Sequence, residues 1–313
     1  MPHARRSNWP SWKWVALAES PMRISDALRG AQGITPLEAR LLMLHVLQHP
    51  RGDHAWLLAH DQDFLPLADH ERFQALCRRR RNHEPLAYLT GEREFFGLTL
   101  RVDGRVLDPR PDTETLVDWA LTLGPSLGLD PASGLPMAAT EILDLGTGSG
   151  AIALALAHTW PTLGRSARVT ALDASAAALD VARANGQALA LPVRWLLSQW
   201  FASMDRAEQF DLIVSNPPYI AASDPHLAVL QHEPPQALVS GADGLDDLRS
   251  IVAQAPLYLR PGGWLLLEHG WDQAAAVRRL LDAAGFREVQ SRCDLAGIER
   301  CSGGRLPRPT EQE

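Results

Sequence analysis

From residue 141 onward, short apolar runs alternate with helical patterns, and this alternation restricts the chain more than any other feature. Runs at 141–145, 169–172, 193–197, 212–215 and 264–268 read as strands, and the stretches from Ala151, over 176–186 and over 273–284 read as helices. Parallel strands cannot be joined by tight turns and need crossovers, usually helices. The pattern therefore specifies an α/β fold with a doubly wound, mostly parallel sheet. In such a sheet ligands bind at the carboxyl ends of the strands, where strand order reverses.

The first third has a different texture. Residues 20–82 show helical spacing and no strand signal. Thr35-Pro36-Leu37-Glu38 is a helix start, with Thr35 as cap and Glu38 at the capping-box position. Leu37, Leu41, Leu44 and Leu47 follow at helical spacing, and His49-Pro50-Arg51-Gly52 stops the helix. A second helix begins near Leu67, carries Phe73 and Leu76, and ends in Arg78–Arg81, read as a solvated helix end. Phe96, Leu98, Leu100 and Val102 then alternate, and Asp103-Gly104 precedes Arg105-Val106-Leu107, which predicts a hairpin turning at Asp103-Gly104. Asp112-Thr113-Glu114 opens a helix, and 124–139 is a Gly/Pro/Ser/Ala-rich loop. The expected domains are a helical one over 1–83, a hairpin linker over 84–110 and an α/β domain over 111–313.

Composition narrows the function. The chain has 313 residues and a net charge of −7, whereas a protein built to grip nucleic acid usually carries a basic surplus. Its three cysteines show no CxxC spacing, so neither a disulfide framework nor a zinc site is expected, and a reducing cytoplasm fits. No secretory leader and no membrane span are read. The cluster His226, His232, Glu233 matches no metal-ligand spacing and reads as loop polarity; Asp243, Asp246 and Asp247 read as a helix start.

Two motifs follow strands. Asp144-Leu145 leads into Gly146-Thr147-Gly148-Ser149-Gly150, a glycine loop before a helix. Glycines there permit positive φ and close approach of a ligand to the backbone. Asp173 ends the second strand, where a carboxylate can accept from both hydroxyls of a ribose. The loop alone leaves S-adenosylmethionine, a dinucleotide and a plain turn all open, because Gly146, Gly148 and Ala151 also fit the relaxed dinucleotide pattern. A helix cap is the bland reading of Asp173. After the fourth strand comes Asn216-Pro217-Pro218-Tyr219. The prolines remove two N–H donors and stiffen the backbone, so the carbonyls and the Asn216 oxygen form an acceptor cluster suited to a planar –NH2 group. Tyr219 can stack on that plane, and Trp200, after the third strand, on an adenine.

With these residues the sequence resembles the S-adenosylmethionine-dependent methyltransferases of planar nitrogens. More narrowly it is similar to the protein-glutamine N5-methyltransferases of class-1 peptide chain release factors, the HemK family. Glu84–Gly91, Glu94-Phe95-Phe96-Gly97, Pro109–Glu114, Trp200-Phe201 and Leu267–Gly270 carry the narrower likeness, which covers about residues 20–306. It implies a helical N-terminal domain, a hairpin linker and a seven-stranded methyltransferase domain. It implies S-adenosylmethionine on Gly146, Thr147, Gly148, Ser149, Gly150, Asp173, Trp200 and Asn216, and substrate on Asn216, Pro217, Pro218 and Tyr219, with Asn216 and the Pro217 carbonyl catalytic. It further implies a cytoplasmic monomer whose partners are release factors, with no metal, no stable nucleic acid and no membrane. Asp108 departs from the family, which usually has an apolar residue before this proline. The competing readings are a glutamine methyltransferase of a ribosomal protein and an amino-methyltransferase of DNA or RNA bases. No residue of the motif offers a general base.

Overall fold

The computed structural model describes residues 22–127 and 139–308. The N-terminal leader reading, most of the 124–139 loop and the tail from 309 lie outside the described residues. The chain divides into two compact units between Asn82 and His83.

The first unit holds α1 (Ile24–Arg29), α2 (Pro36–Val46), α3 (His54–Ala59) and α4 (Leu67–Arg81). The capping box of α2 is formed: the Glu38 amide donates to Thr35 Oγ1 at 3.2 Å, and the Thr35 amide to Glu38 Oε2 at 2.8 Å. The buried stripe of α2 is Ala39, Leu42, Met43, Leu44 and Val46, with Phe73 and Cys77 of α4 also buried. Leu37 is 56% exposed, so the leucine spacing identified the helix but not its inner face. The arginines ending α4 are not simply solvated: Arg80 pairs with Glu38 at 2.7 Å, and Arg81 Nε donates to the Gln32 carbonyl at 2.8 Å.

The second unit opens with α5 (Leu86–Thr90) and an antiparallel hairpin, β1 (Glu92–Phe95) and β2 (Leu98–Arg101). The hairpin turns at Phe96-Gly97, not at Asp103-Gly104. Phe96 and Gly97 have φ of 50° and 76°, the two left-handed residues of a type I′ turn. The sequence reading missed it because a phenylalanine in that conformation carries no turn signal, whereas Asp-Gly does. Residues 102–110 instead form a loop, in which the Val106 amide donates to the Asp103 carbonyl.

After α6 (Glu114–Leu123) come β3 (Thr140–Leu145), α7 (Ala151–Thr159), β4 (Ala167–Asp173), α8 (Ala176–Ala188), β5 (Val193–Leu197) and β6 (Phe210–Ser215). The chain continues through α9 (Asp246–Gln254), β7 (Leu259–Glu268), α10 (Ala274–Ala283), β8 (Arg287–Cys293) and β9 (Glu299–Arg305). The seven strands are ordered β5-β4-β3-β6-β7-β9-β8. β9 is antiparallel to both neighbours and the remaining pairs are parallel. Alternate residues feed opposite faces. Ile142, Leu212, Val214 and Leu266 join α6 and α7 in one core; Leu143, Ile213, Leu265 and Leu267 join α9 and α10 in the other. β8 and β9 carry little apolar alternation, with Cys301-Ser302-Gly303-Gly304 at the centre of β9, and were not read from periodicity.

Those small residues have a packing cause. A Cβ on Gly303 would lie 2.6 Å from the Leu265 carbonyl oxygen and 3.0 Å from the Trp119 ring, which is fully buried. Gly303→Ala therefore forces backbone and indole apart and is expected to destabilise the protein by about 1–3 kcal/mol, read as a lower urea midpoint with unchanged slope.

Candidate active site

β3 is the switch point, paired with β4 on one side and β6 on the other. The loops after β3, β4, β5 and β6 line one cavity of about 470 Å³.

The glycine loop is held by its own backbone. The Gly146 and Thr147 amides both donate to the Leu172 carbonyl at 2.9 Å, and the Gly150 amide to the Thr147 carbonyl at 2.8 Å. Thr147 Oγ1 donates to Asp144 Oδ2 at 2.6 Å. Burial pushes the Asp144 carboxyl up to about 7. The glycines at 146, 148 and 150 all have positive φ, but they differ in surroundings. A Cβ at Gly150 would meet Trp195 and Leu154 at 3.1 Å, whereas none within 4 Å opposes Gly148, which faces open cavity.

Asp173 is not the helix cap. Ser175 caps α8, its Oγ accepting from the Ala178 amide at 3.2 Å. Asp173 accepts from the Gly148 amide at 2.9 Å through Oδ2 and from the Ser175 amide at 2.8 Å through Oδ1. Each oxygen keeps a second lone pair, and the residue lines the cavity, where burial pushes its pKa up. Trp200, at φ 49°, lays its ring against Gly146, while its Nε1 donates to Asp247 Oδ1 at 3.2 Å. Asp247 starts α9 as read, and also lines the cavity.

Thr147, Ser149, Asn216 and Pro218 line the same cavity. Pro217 is buried beneath it, and Tyr219 packs against the core under α9 and α10; neither forms the wall. The Asn216 Nδ2 donates to Thr113 Oγ1 at 3.2 Å. The Tyr219 carbonyl accepts from Gln273 Nε2 at 3.0 Å, which pins the end of the motif. Glu268, the last residue of β7, is buried behind Asn216; burial pushes its carboxyl up to about 7 although Thr113 and Asn216 both hydrogen-bond to it.

Several contributors were illegible or misread. Asn185 accepts from the Arg101 amide at 2.8 Å and donates to the Arg101 and Ser149 carbonyls at 3.0 and 2.9 Å, tying hairpin to glycine loop. Glu233 is not loop polarity: it is 4% exposed, pairs with Arg110 and accepts from the Asp108 amide at 3.3 Å. Asp108 is buried too, with Arg93 at 3.4 Å and Arg110 at 3.6 Å. These ion pairs hold the 233–237 segment, whose Pro234, Gln236 and Ala237 line the cavity. Only the Pro-rich context of Glu233 hinted at an ordered segment. Among the described residues no group of three or more His, Cys, Asp or Glu could hold a metal ion, and no helix is long and apolar enough to cross a membrane.

The cavity suits S-adenosylmethionine: a glycine with open space above it, a carboxylate at the end of β4, an indole face, and Asn216 on the wall. A seven-stranded sheet with this strand order and these loops defines an S-adenosylmethionine-dependent methyltransferase. The Methyltransferase small domain family matches residues 131–289, and the PrmC N-terminal domain family matches 22–91. A release factor glutamine methyltransferase of Burkholderia pseudomallei is 49% identical over 92% of this chain and 98% of its own. One of Bordetella pertussis is 50% identical over 91% of this chain and 100% of its own. A T. thermophilus 16S rRNA N2 methyltransferase solved with AdoMet and guanosine shares the fold, with TM-score 0.50 and 21% identity over 69% of this chain and 49% of that one. The chain belongs to the release factor glutamine methyltransferase family.

Asp173→Ala is expected to weaken S-adenosylmethionine binding by about 1.5–3 kcal/mol, the range for a hydrogen bond to a charged group; calorimetry on the folded variant measures it.

Proposed function

We propose that this enzyme methylates the side-chain amide nitrogen of the glutamine in the Gly-Gly-Gln loop of class-1 peptide chain release factors. The observation that carries the reading is the position of Asn216: it stands on the wall of the cavity that the glycine loop also lines, with its nitrogen already donating to Thr113. Asn216 Oδ1, on the cavity wall, and the carbonyl of the next residue, Pro217, are then acceptors for the two hydrogens of a primary amide, with Pro218 bounding its plane and Tyr219 bracing the motif from the core behind. Gly146–Gly150, Asp173 and Trp200 hold the cofactor, which supplies an electrophilic methyl when bound. The names of the relatives support the substrate class.

An amide nitrogen is a poor nucleophile because its lone pair is delocalised into the carbonyl. The protein's contribution is therefore orientation and electrostatics, which together can supply roughly 7–11 kcal/mol for a well-aligned pair. Acceptors on both N–H groups fix the nitrogen in space and favour charge building on it as the new bond forms. The reading places the enzyme in the cytoplasm with its substrate, as a monomer with no stable nucleic-acid partner.

Asn216→Ala leaves one amide N–H unsatisfied, a penalty of about 1–3 kcal/mol, and loses orientation worth about a further 100-fold in rate. On the substrate side, a release factor with Gln→Asn in its loop presents the same group withdrawn by one methylene. Incorporation of labelled methyl into it is expected to be far slower than into the Gln form. Equal labelling of both forms, or labelling of DNA by the same preparation, overturns the reading.

The first unit is assigned to recognition of the protein substrate, because every residue lining the cavity lies between Arg105 and Asp247. A chain reduced to residues 83–313 is expected to bind S-adenosylmethionine by calorimetry yet methylate release factor poorly.

A further inference from the structure

An asparagine amide can turn over at almost no steric cost, exchanging its oxygen for its nitrogen. Only one orientation serves a carboxamide –NH2. Turned the other way, Asn216 would present donors to donors. Something must therefore distinguish its two ends. The register shows what stands behind it: Ser215 lies opposite Leu267 on parallel strands, so Asn216 and Glu268 follow side by side where β6 and β7 end. One Nδ2 hydrogen of Asn216 goes to Thr113 Oγ1 at 3.2 Å, and Glu268 stands close enough behind both that each, as a side-chain donor, lowers its pKa. Thr113, 3% exposed, comes from the turn that opens α6. With its nitrogen turned to Thr113 on the Glu268 side, the atom Asn216 has left for the cavity is Oδ1.

Resting on the reading of Asn216 above, we propose that Glu268 is a positioning residue for methyl transfer: its carboxylate, with Thr113, locks the Asn216 amide with Oδ1 toward the substrate. An ionised carboxylate accepts and cannot donate, so it recognises the nitrogen end alone. A purely structural role does not account for it. Glu268 is 2% exposed, its Oε2 has no hydrogen-bond partner, and among the described residues no cation pairs with it. Burying a charge so is costly, and an apolar residue of similar size would be the more stable choice.

The surroundings make the lock sensitive to pH. Asp112 raises the Glu268 pKa and Arg300 lowers it, but Arg300 is itself bound by Asp294 at 2.9 Å and Asp112 at 3.2 Å. Tyr219 and Cys301, the other titratable groups facing it, have their own pKa values raised by burial, so they stay neutral around pH 7. Burial dominates and brings the carboxyl to about 7. Below that the carboxyl carries a proton, can donate, and no longer rejects the oxygen end of Asn216. Turnover at saturating cofactor should therefore rise with pH through about 7. Asp144 titrates in the same range, but it holds Thr147 in the glycine loop, so its signature belongs to cofactor affinity rather than kcat.

The test is full-length Glu268→Gln, assayed with release factor and saturating S-adenosylmethionine across neutral pH, alongside calorimetry for cofactor binding. A glutamine can donate as well as accept, so the discrimination is lost. The expected result is a kcat lower by roughly 10- to 100-fold, unchanged cofactor affinity and no acid limb. Thr113→Val is the second variant: removing a hydrogen bond to the charged form should move the acid limb to higher pH. A Glu268→Gln enzyme with the wild-type kcat and acid limb overturns the proposal, as does a Thr113→Val limb that does not move. Loss of cofactor binding in step with kcat overturns it too, by showing a structural role. Asn216→Ala in the same assay separates the two levels: if it is inactive while Glu268→Gln is normal, only the positioning role falls, and if it is fully active the reading of Asn216 falls first.

Discussion

The register of β3 against its two parallel neighbours is the constraint on which the site depends. Leu145 lies opposite Leu172 on one side and Ser215 on the other, and Ser215 in turn lies opposite Leu267. β4, β3, β6 and β7 thus end at one level, and the loops leaving β3, β4 and β6 share one cavity. A slip of one residue would turn every side chain of β3 to the opposite face, exchanging Ile142 and Leu143 between the two cores. Such a slip would also take Asp144 from Thr147 and the Leu145 carbonyl from the Ser215 hydroxyl, so pairing of the sheet and assembly of the chemistry are one requirement.

Polar contacts then refine what the cores position. Ser215 Oγ donates to the Leu145 carbonyl at 2.7 Å, closing the gap where two motifs depart. Asn185 locks the hairpin to the glycine loop, and Gln273 holds Tyr219 from α10's side. The Asp108–Arg110–Glu233 cluster fixes the segment that closes the cavity. Most of these contacts join residues far apart in sequence, and the buried ones among them, such as Ser215 to Leu145 and Asn185 to Ser149, lie where an unpaired partner is costly.

That distance decides what the sequence could reveal. The glycine loop, the proline motif, the β3–α7 to β6 alternation and the α2 capping box are local patterns, and local patterns were legible. Asn185 inside an Ala-rich helix has no local signature, and Thr113 and Glu268 were legible only as members of the family-like segments Pro109–Glu114 and Leu267–Gly270, with no sign that they meet, because their partners arrive only when the strands pair. The hairpin was misplaced for a related reason: Phe96 takes a left-handed turn position by virtue of the packing around Phe95 and Leu98, both buried in the main core, not by its own preference. Asp108 was legible as a departure, yet only the structure supplies the two arginines that make a buried carboxylate tolerable.

The acceptor pair proposed here, Asn216 Oδ1 and the Pro217 carbonyl, has an arithmetic side. Two acceptors are satisfied by two hydrogens, and a primary amide brings two. Once a methyl has replaced one of them, the amide brings a single hydrogen and leaves one acceptor without a partner. The product thus fits less well than the substrate, which hastens its departure and closes the way to a second transfer. On the proposed reading the pocket in effect counts hydrogens, and that count predicts one methyl per glutamine.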